Sequence, residues 1–128
     1  MSAEGHAIRL RGGWDCEARD GTTRPLALPL DRWPDAPGPF RLIRRFGRPP
    51  IDVGRESLAL RLGNVPGLRE ARLNGRPLDG PTAGESTWEV PIEGDLPARS
   101  VLELDVDPAD MTQGGVGWGE VALVIRPR

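Results

Sequence analysis

Three stretches of this chain repeat apolar side chains with a period of two. Leu58, Leu60 and Leu62 alternate with Ala59 and Arg61, Leu102, Leu104 and Val106 alternate with Glu103 and Asp105, and Val121, Leu123 and Ile125 alternate with Ala122 and Val124. Successive side chains of a strand point to opposite faces, so this pattern specifies strands with one face against a core. No window of helical length carries an apolar stripe at 3.6-residue spacing. The chain is therefore read as all-β, and the twelve residues expected to build its core are Leu58, Leu60, Leu62, Leu73, Val90, Ile92, Leu102, Leu104, Val106, Val121, Leu123 and Ile125.

The sharpest local signal is Asn74-Gly75, which separates Ala71–Leu73 from Arg76–Leu78. A two-residue type I′ turn needs positive φ at both central residues, and Asn and Gly meet that demand at least cost. A hairpin is expected here, with a second strand that is short or at an edge because Pro77 has no N–H to donate. The 17 glycines and 14 prolines would suggest disorder in a chain without periodicity. Set between alternating segments, they read as turns.

Other segments leave specific questions. Ile8, Leu10, Gly12, Trp14 and Cys16 share one parity, so residues 8–16 form one strand or two joined at Gly12-Gly13, with Cys16 buried. Three prolines between Arg24 and Pro34 place that segment at an edge or outside a sheet. Phe40–Phe46 reads as a strand in which strict alternation sets Arg44 on the face of Phe40, Leu42 and Phe46. An unpaired buried guanidinium is costly, so Arg44 is expected either to pair with a carboxylate or to sit at a bulge. Thr87–Ile92 is a strand with Trp88, Val90 and Ile92 in phase, and residues 108–119 read as a glycine-rich loop.

At 128 residues the chain is expected to be one domain, residues 1–128, with 1–6 as a flexible tail. Its basic residues are all Arg, which fits codon usage in a GC-rich genome, and 19 carboxylates leave a formal charge of −2. That balance argues against nucleic acid as a partner. The N-terminus lacks the pattern of a signal peptide and no run is long enough to span a membrane, so no membrane partner and a cytoplasmic location are expected.

Reactive chemistry is sparse. The single cysteine, Cys16, excludes an intrachain disulfide and reads as a small buried hydrophobe, while the single histidine, His6, falls in the expected tail. Asp105, Asp107 and Asp110 cluster at a strand end, where they serve either as solvated carboxylates and turn caps or as oxygen ligands for a structural Ca²⁺. No other cofactor is expected. Trp14 and Trp88 are in phase with apolar neighbours and read as core. Trp33, in the proline-rich segment, and Trp118, in the glycine-rich loop, either cap the open ends of a sandwich or present exposed rings to a ligand.

Several segments, taken in order, resemble a known family. Leu28–Trp33 is similar to a "V-P-x-x-W" approach segment, Phe40–Phe46 to a "W-Y-R-R-x-F" strand, and Val65–Gly75 to a "G-V-D-G-x-A-x-V-x-L-N-G" core. Ser100–Val106 and Gly114–Leu123 are similar to closing strands "N-x-L-x-V-x-V" and "G-G-I-W-x-x-V-x-L". Together they resemble the sugar-binding jelly-roll domain that opens family 2 glycoside hydrolases, the β-galactosidase and β-glucuronidase group. The resemblance implies a galactose-binding-domain-like jelly-roll sandwich of two antiparallel sheets, with about eight strands. After the hairpin the chain departs from the family's "H-x-G-G-Y-x-P-F": residues 79–88 displace the aromatic and lack the His.

The family's catalytic carboxylates lie on a separate barrel domain, and glycoside hydrolysis needs two carboxyl groups at a fixed separation. The resemblance therefore implies a non-catalytic carbohydrate-binding or carbohydrate-associated module, its partner a saccharide held by Trp33, Trp118 and Arg44. The alternative is a protein-interaction or assembly module that kept the fold without the sugar. An enzyme is the third and least favoured class.

Overall fold

A computed structural model describes residues 6–30, 38–52, 54–65, 67–78, 87–92, 96–107 and 117–127. It contains ten strands: β1 (His6–Arg9), β2 (Trp14–Ala18), β3 (Thr23–Leu26), β4 (Phe40–Gly47), β5 (Glu56–Gly63), β6 (Leu68–Leu73), β7 (Arg76–Pro77), β8 (Thr87–Ile92), β9 (Arg99–Val106) and β10 (Glu120–Pro127). They form two antiparallel sheets, one of four strands in the order β1-β10-β5-β8 and one of six in the order β3-β2-β4-β9-β6-β7. The result is a β-sandwich, as the alternation required.

The count exceeds the expected eight for identifiable reasons. The opening segment breaks at Gly12-Gly13, where Gly13 has φ +77°, and its two halves join different sheets. The other addition is the short edge strand β3, while β7 is the short second strand expected of the hairpin. Pro25 lies in β3 at the margin of the six-stranded sheet, where a missing N–H disturbs no central ladder. Residue 6 is not tail: His6 belongs to β1 and pairs with Ile125, although its side chain is exposed.

The hairpin is present in the expected register. Asn74 and Gly75 have φ values of +53° and +82°, Leu73 pairs with Arg76, and the Leu78 N–H donates to the Ala71 carbonyl at 2.8 Å. The Asn74 side chain does more than tolerate the turn, because its Oδ1 accepts from the Val101 N–H at 2.9 Å. That bond ties the hairpin to β9.

The inner faces meet as expected. Eleven of the twelve predicted core residues are buried, and Ile92, at the end of edge strand β8, is partly covered. Leu28, Leu30, Val65 and Leu96 join the core from segments without alternation. Trp14 and Trp88 are both buried, Trp14 with its indole N–H donating to the Leu10 carbonyl at 2.7 Å. Ala122 and Val124 are buried as well, although their parity sets them on the outside of the four-stranded sheet. β10 is thus covered on both faces.

Candidate functional site

Of the three residues read from the sequence as a ligand-binding set, the structure describes two, Trp118 and Arg44. Trp33 lies outside the described residues. Trp118 is 1% exposed, so its ring cannot carry a sugar. Its backbone is fixed in the turn entering β10: the Leu30 N–H donates to the Trp118 carbonyl at 2.8 Å and the Gly117 N–H to the Leu30 carbonyl at 2.7 Å. Those bonds tie Gly117 and Trp118 to Leu30, and the indole lies in the core.

Arg44 meets neither expectation. It sits in regular strand register, opposite Leu102 on one side and Trp14 on the other, without a bulge. No carboxylate among the described residues pairs with it. One guanidinium nitrogen donates instead to the Arg45 carbonyl, and its Nε is buried without a partner. The group is accommodated because its neighbour across the strand break is Gly13, where a Cβ would lie 3.2 Å from the guanidinium carbon. Arg44 is a half-buried packing residue under the kink that sends the chain from one sheet to the other.

The remaining reactive groups are also placed. Cys16 is buried and lies in the six-stranded sheet; burial raises its thiol pKa, partly opposed by the charge of Arg24, so the thiol is held protonated and unreactive. Asp105 pairs with Arg41 at 2.8 Å and Arg72 at 3.1 Å, and Asp107 with Arg69 at 3.6 Å. Asp110 lies outside the described residues. Among the described residues no group of three or more His, Cys, Asp or Glu side chains gathers in a way that could hold a metal ion.

What the structure does assemble lies on the outer face of the four-stranded sheet. Strand pairing aligns two rows across it: Ala7, Val124, Ala59 and Pro91 in one, and Arg9, Ala122, Arg61 and Glu89 in the next. Glu89 accepts from Arg61 at 2.9 and 3.1 Å and from both terminal nitrogens of Arg126 at 2.7 and 2.9 Å. The Arg126 hydrogen bonds, and then those of Arg61, hold the Glu89 carboxyl below its ordinary pKa. Beside this cluster is a pocket of about 200 Å³. Arg9, Arg11, Arg61 and Glu120 supply its charge, and Ala7, Ala122, Leu28 and Pro29 its apolar surface.

The wall of the pocket depends on a glycine. Gly119 has φ +91°, and a Cβ there would sit 3.1 Å from both terminal carbons of Leu28. The bare backbone lets Leu28 pack down, and the Leu28 N–H donates to the Arg11 carbonyl at 2.7 Å. Leu28 and Arg11 are thereby set side by side. The sequence carried part of this signal, since Arg9 and Arg11 fall on the parity opposite Ile8 and Leu10. It gave no sign that Arg61 and Glu120 would join them, because those arrive through β5 and β10.

Known structures share the fold. An FMN-binding β-glucuronidase from Faecalibacterium prausnitzii L2-6 superposes with a TM-score of 0.72 at 17% identity, over 97% of this chain and 23% of that one. A putative β-galactosidase from Bacteroides fragilis gives 0.69 at 16%, over 95% and 23%. A family 2 β-galacturonidase from Eisenbergiella tayi, bound to galacturonate, gives 0.63 at 15%, over 95% and 24%. The chain spans about a quarter of the length of these enzymes. No protein-family model matches it, and no curated protein matches it in sequence. The chain has the β-sandwich fold of a domain found in family 2 glycosidases.

Proposed function

We propose that this chain is a non-catalytic, carbohydrate-associated module that holds a saccharide for glycosidase chemistry carried out on another domain or protein. The observation that carries the reading is the superposition of nearly the whole chain on about a quarter of each glycosidase. In this reading a unit of that share contributes binding and support to a larger catalytic body. The described side chains agree with this role: Cys16 is buried in one sheet and His6 is exposed on the other, so the pair offers no activated nucleophile and base. The pocket on the small sheet is the place where a saccharide fits this reading.

The alternative, a protein-interaction module, has its own support. Trp14, Trp88, Trp118, Phe40 and Phe46 are all buried, so every described Trp and Phe ring is withdrawn from stacking on a sugar. Calorimetric titration with a panel of neutral and acidic saccharides separates the two readings, run beside an aryl-glycoside assay on repurified protein. Heat with at least one saccharide and no turnover is the expected result. No binding across the panel transfers the assignment to protein interaction, and turnover that survives repurification overturns the non-catalytic reading.

A further inference from the structure

We propose that the pocket bounded by Arg9, Arg11, Arg61 and Glu120 binds a monosaccharide carrying a single anionic group. The proposal rests on the carbohydrate-associated reading above and names the ligand class for it. Charge makes the first selection. Of the three guanidinium groups, Arg61 is engaged by Glu89, while Arg9 and Arg11 have no carboxylate partner among the described residues. On the outer face of the other sheet, Arg41, Arg45 and Arg72 each pair with at least one carboxylate. Two unspent guanidinium groups beside one pocket favour an anion, and their planar donors suit carboxylate or sulfate oxygens.

Glu120 makes the second selection. It too has no ion-pair partner among the described residues, and it would repel a second negative charge. It accepts readily from hydroxyls. A ligand with one anionic group and neighbouring hydroxyls satisfies both ends of the pocket, whereas a polyphosphate satisfies only one. Size and surface make the third. At about 200 Å³ the pocket is smaller than the roughly 300–1,000 Å³ of sites for drug-sized molecules, so it takes one ring rather than a chain. Ala7, Ala122 and Pro29 offer C–H contacts to that ring.

The test uses the full chain, ¹⁵N-labelled, titrated with glucuronate, glucose 6-sulfate, glucose and acetate while amide shifts are followed. Binding of at least one acidic sugar is expected on the order of millimolar, with shifts at Gly119 and Ala122. Glucose and acetate, each offering half of the chemistry, should bind roughly tenfold more weakly or worse. The double variant Arg9→Gln/Arg11→Gln should weaken the acidic sugar by a similar factor with an unchanged unfolding midpoint, both side chains being exposed. Equal affinity for glucose and the acidic sugars overturns the proposal, as does acetate binding as tightly as glucuronate. Acidic-sugar binding that ignores the double variant, or none at all, overturns it too. If a neutral saccharide binds elsewhere, only this site assignment falls; if no saccharide binds, the carbohydrate reading falls with it.

Discussion

The outer faces of the two sheets solve the same problem in opposite ways. On the six-stranded sheet, pairing sets Glu17, Arg41, Asp105 and Glu70 in one row and Asp15, Ile43, Glu103 and Arg72 in the next. Arginines stand among the carboxylates, and Arg72 alone reaches Glu70, Glu103 and Asp105. Both arginines of those rows are thus taken up by carboxylates of the same face. On the four-stranded sheet a row of small apolar residues runs beside a row in which only Arg61 and Glu89 are matched, with Arg126 reaching across the face to join them. Arg9, Arg11 and Glu120, without an ion pair among the described residues, stand around a pocket. One face spends its charges on itself and the other holds some in reserve, and the reserve marks where a ligand has something to gain.

The largest effects should ignore this contrast, because both faces stand on one core. Leu104→Ala in the large sheet and Leu60→Ala in the small one should each cost about 2–5 kcal/mol in urea denaturation, both side chains being almost fully buried. A near-neutral result for either would break the two-sheet register.

Gly119→Ala comes next and bears on the pocket. A left-handed backbone costs an L residue about 1–2 kcal/mol, and forcing Leu28 aside adds an overpacking cost of about 1–3 kcal/mol. Gly75→Ala, with φ +82° and nothing within 4 Å, should show only the backbone cost. Equal losses in thermal unfolding would mean that Gly119 does not set the pocket wall. The same variant should also weaken any acidic ligand.

Arg72→Ala should cost about 1–2 kcal/mol, because its side chain is 19% exposed and its loss takes a partner from three carboxylates, of which Asp105 and Glu103 keep Arg41. Arg126→Ala on the small sheet should leave the denaturation midpoint nearly unmoved, since Arg61 still holds Glu89. The reverse order would invert the comparison of the two faces.

The smallest effect is in pH dependence. The folded protein holds Glu89 below its ordinary pKa, so the unfolded chain binds that proton more readily. Its contribution to stability is complete above the ordinary glutamate pKa and is lost as pH falls through the lowered folded value. Arg126→Leu removes the largest cause of the shift, so the Glu89 titration followed by carboxyl NMR should move up toward the ordinary value. An unmoved titration would show that Arg61 alone holds the group.

Much of the fold was legible in the residues. The three alternating segments became β5, β9 and β10 with the expected faces inward, and the hairpin stands where Asn74-Gly75 set it. Ala122 and Val124 were not legible, because alternation tells which face a side chain takes and not what covers that face. Trp118 was ambiguous for a related reason: an indole in a glycine-rich loop has no periodic neighbours to declare its side. The candidate site was scarcely legible. Arg44 drew notice as a charge on an apolar face, yet its environment depends on Gly13, thirty-one positions earlier in the chain.

What the sequence determined by itself was local: where strands run, which side each residue takes, and where the chain reverses. Those properties follow from dihedral preferences and the two-residue repeat, and both are set by near neighbours. Tertiary structure alone decided which strands lie side by side. The pairing of β1 with β10 and of β10 with β5 brings Arg9, Ala122 and Arg61 into one row, from positions more than a hundred residues apart at the extremes. No short-range preference encodes that adjacency. It follows from the burial of the two inner faces against each other, and the pocket on the outside is a consequence of how the core was closed.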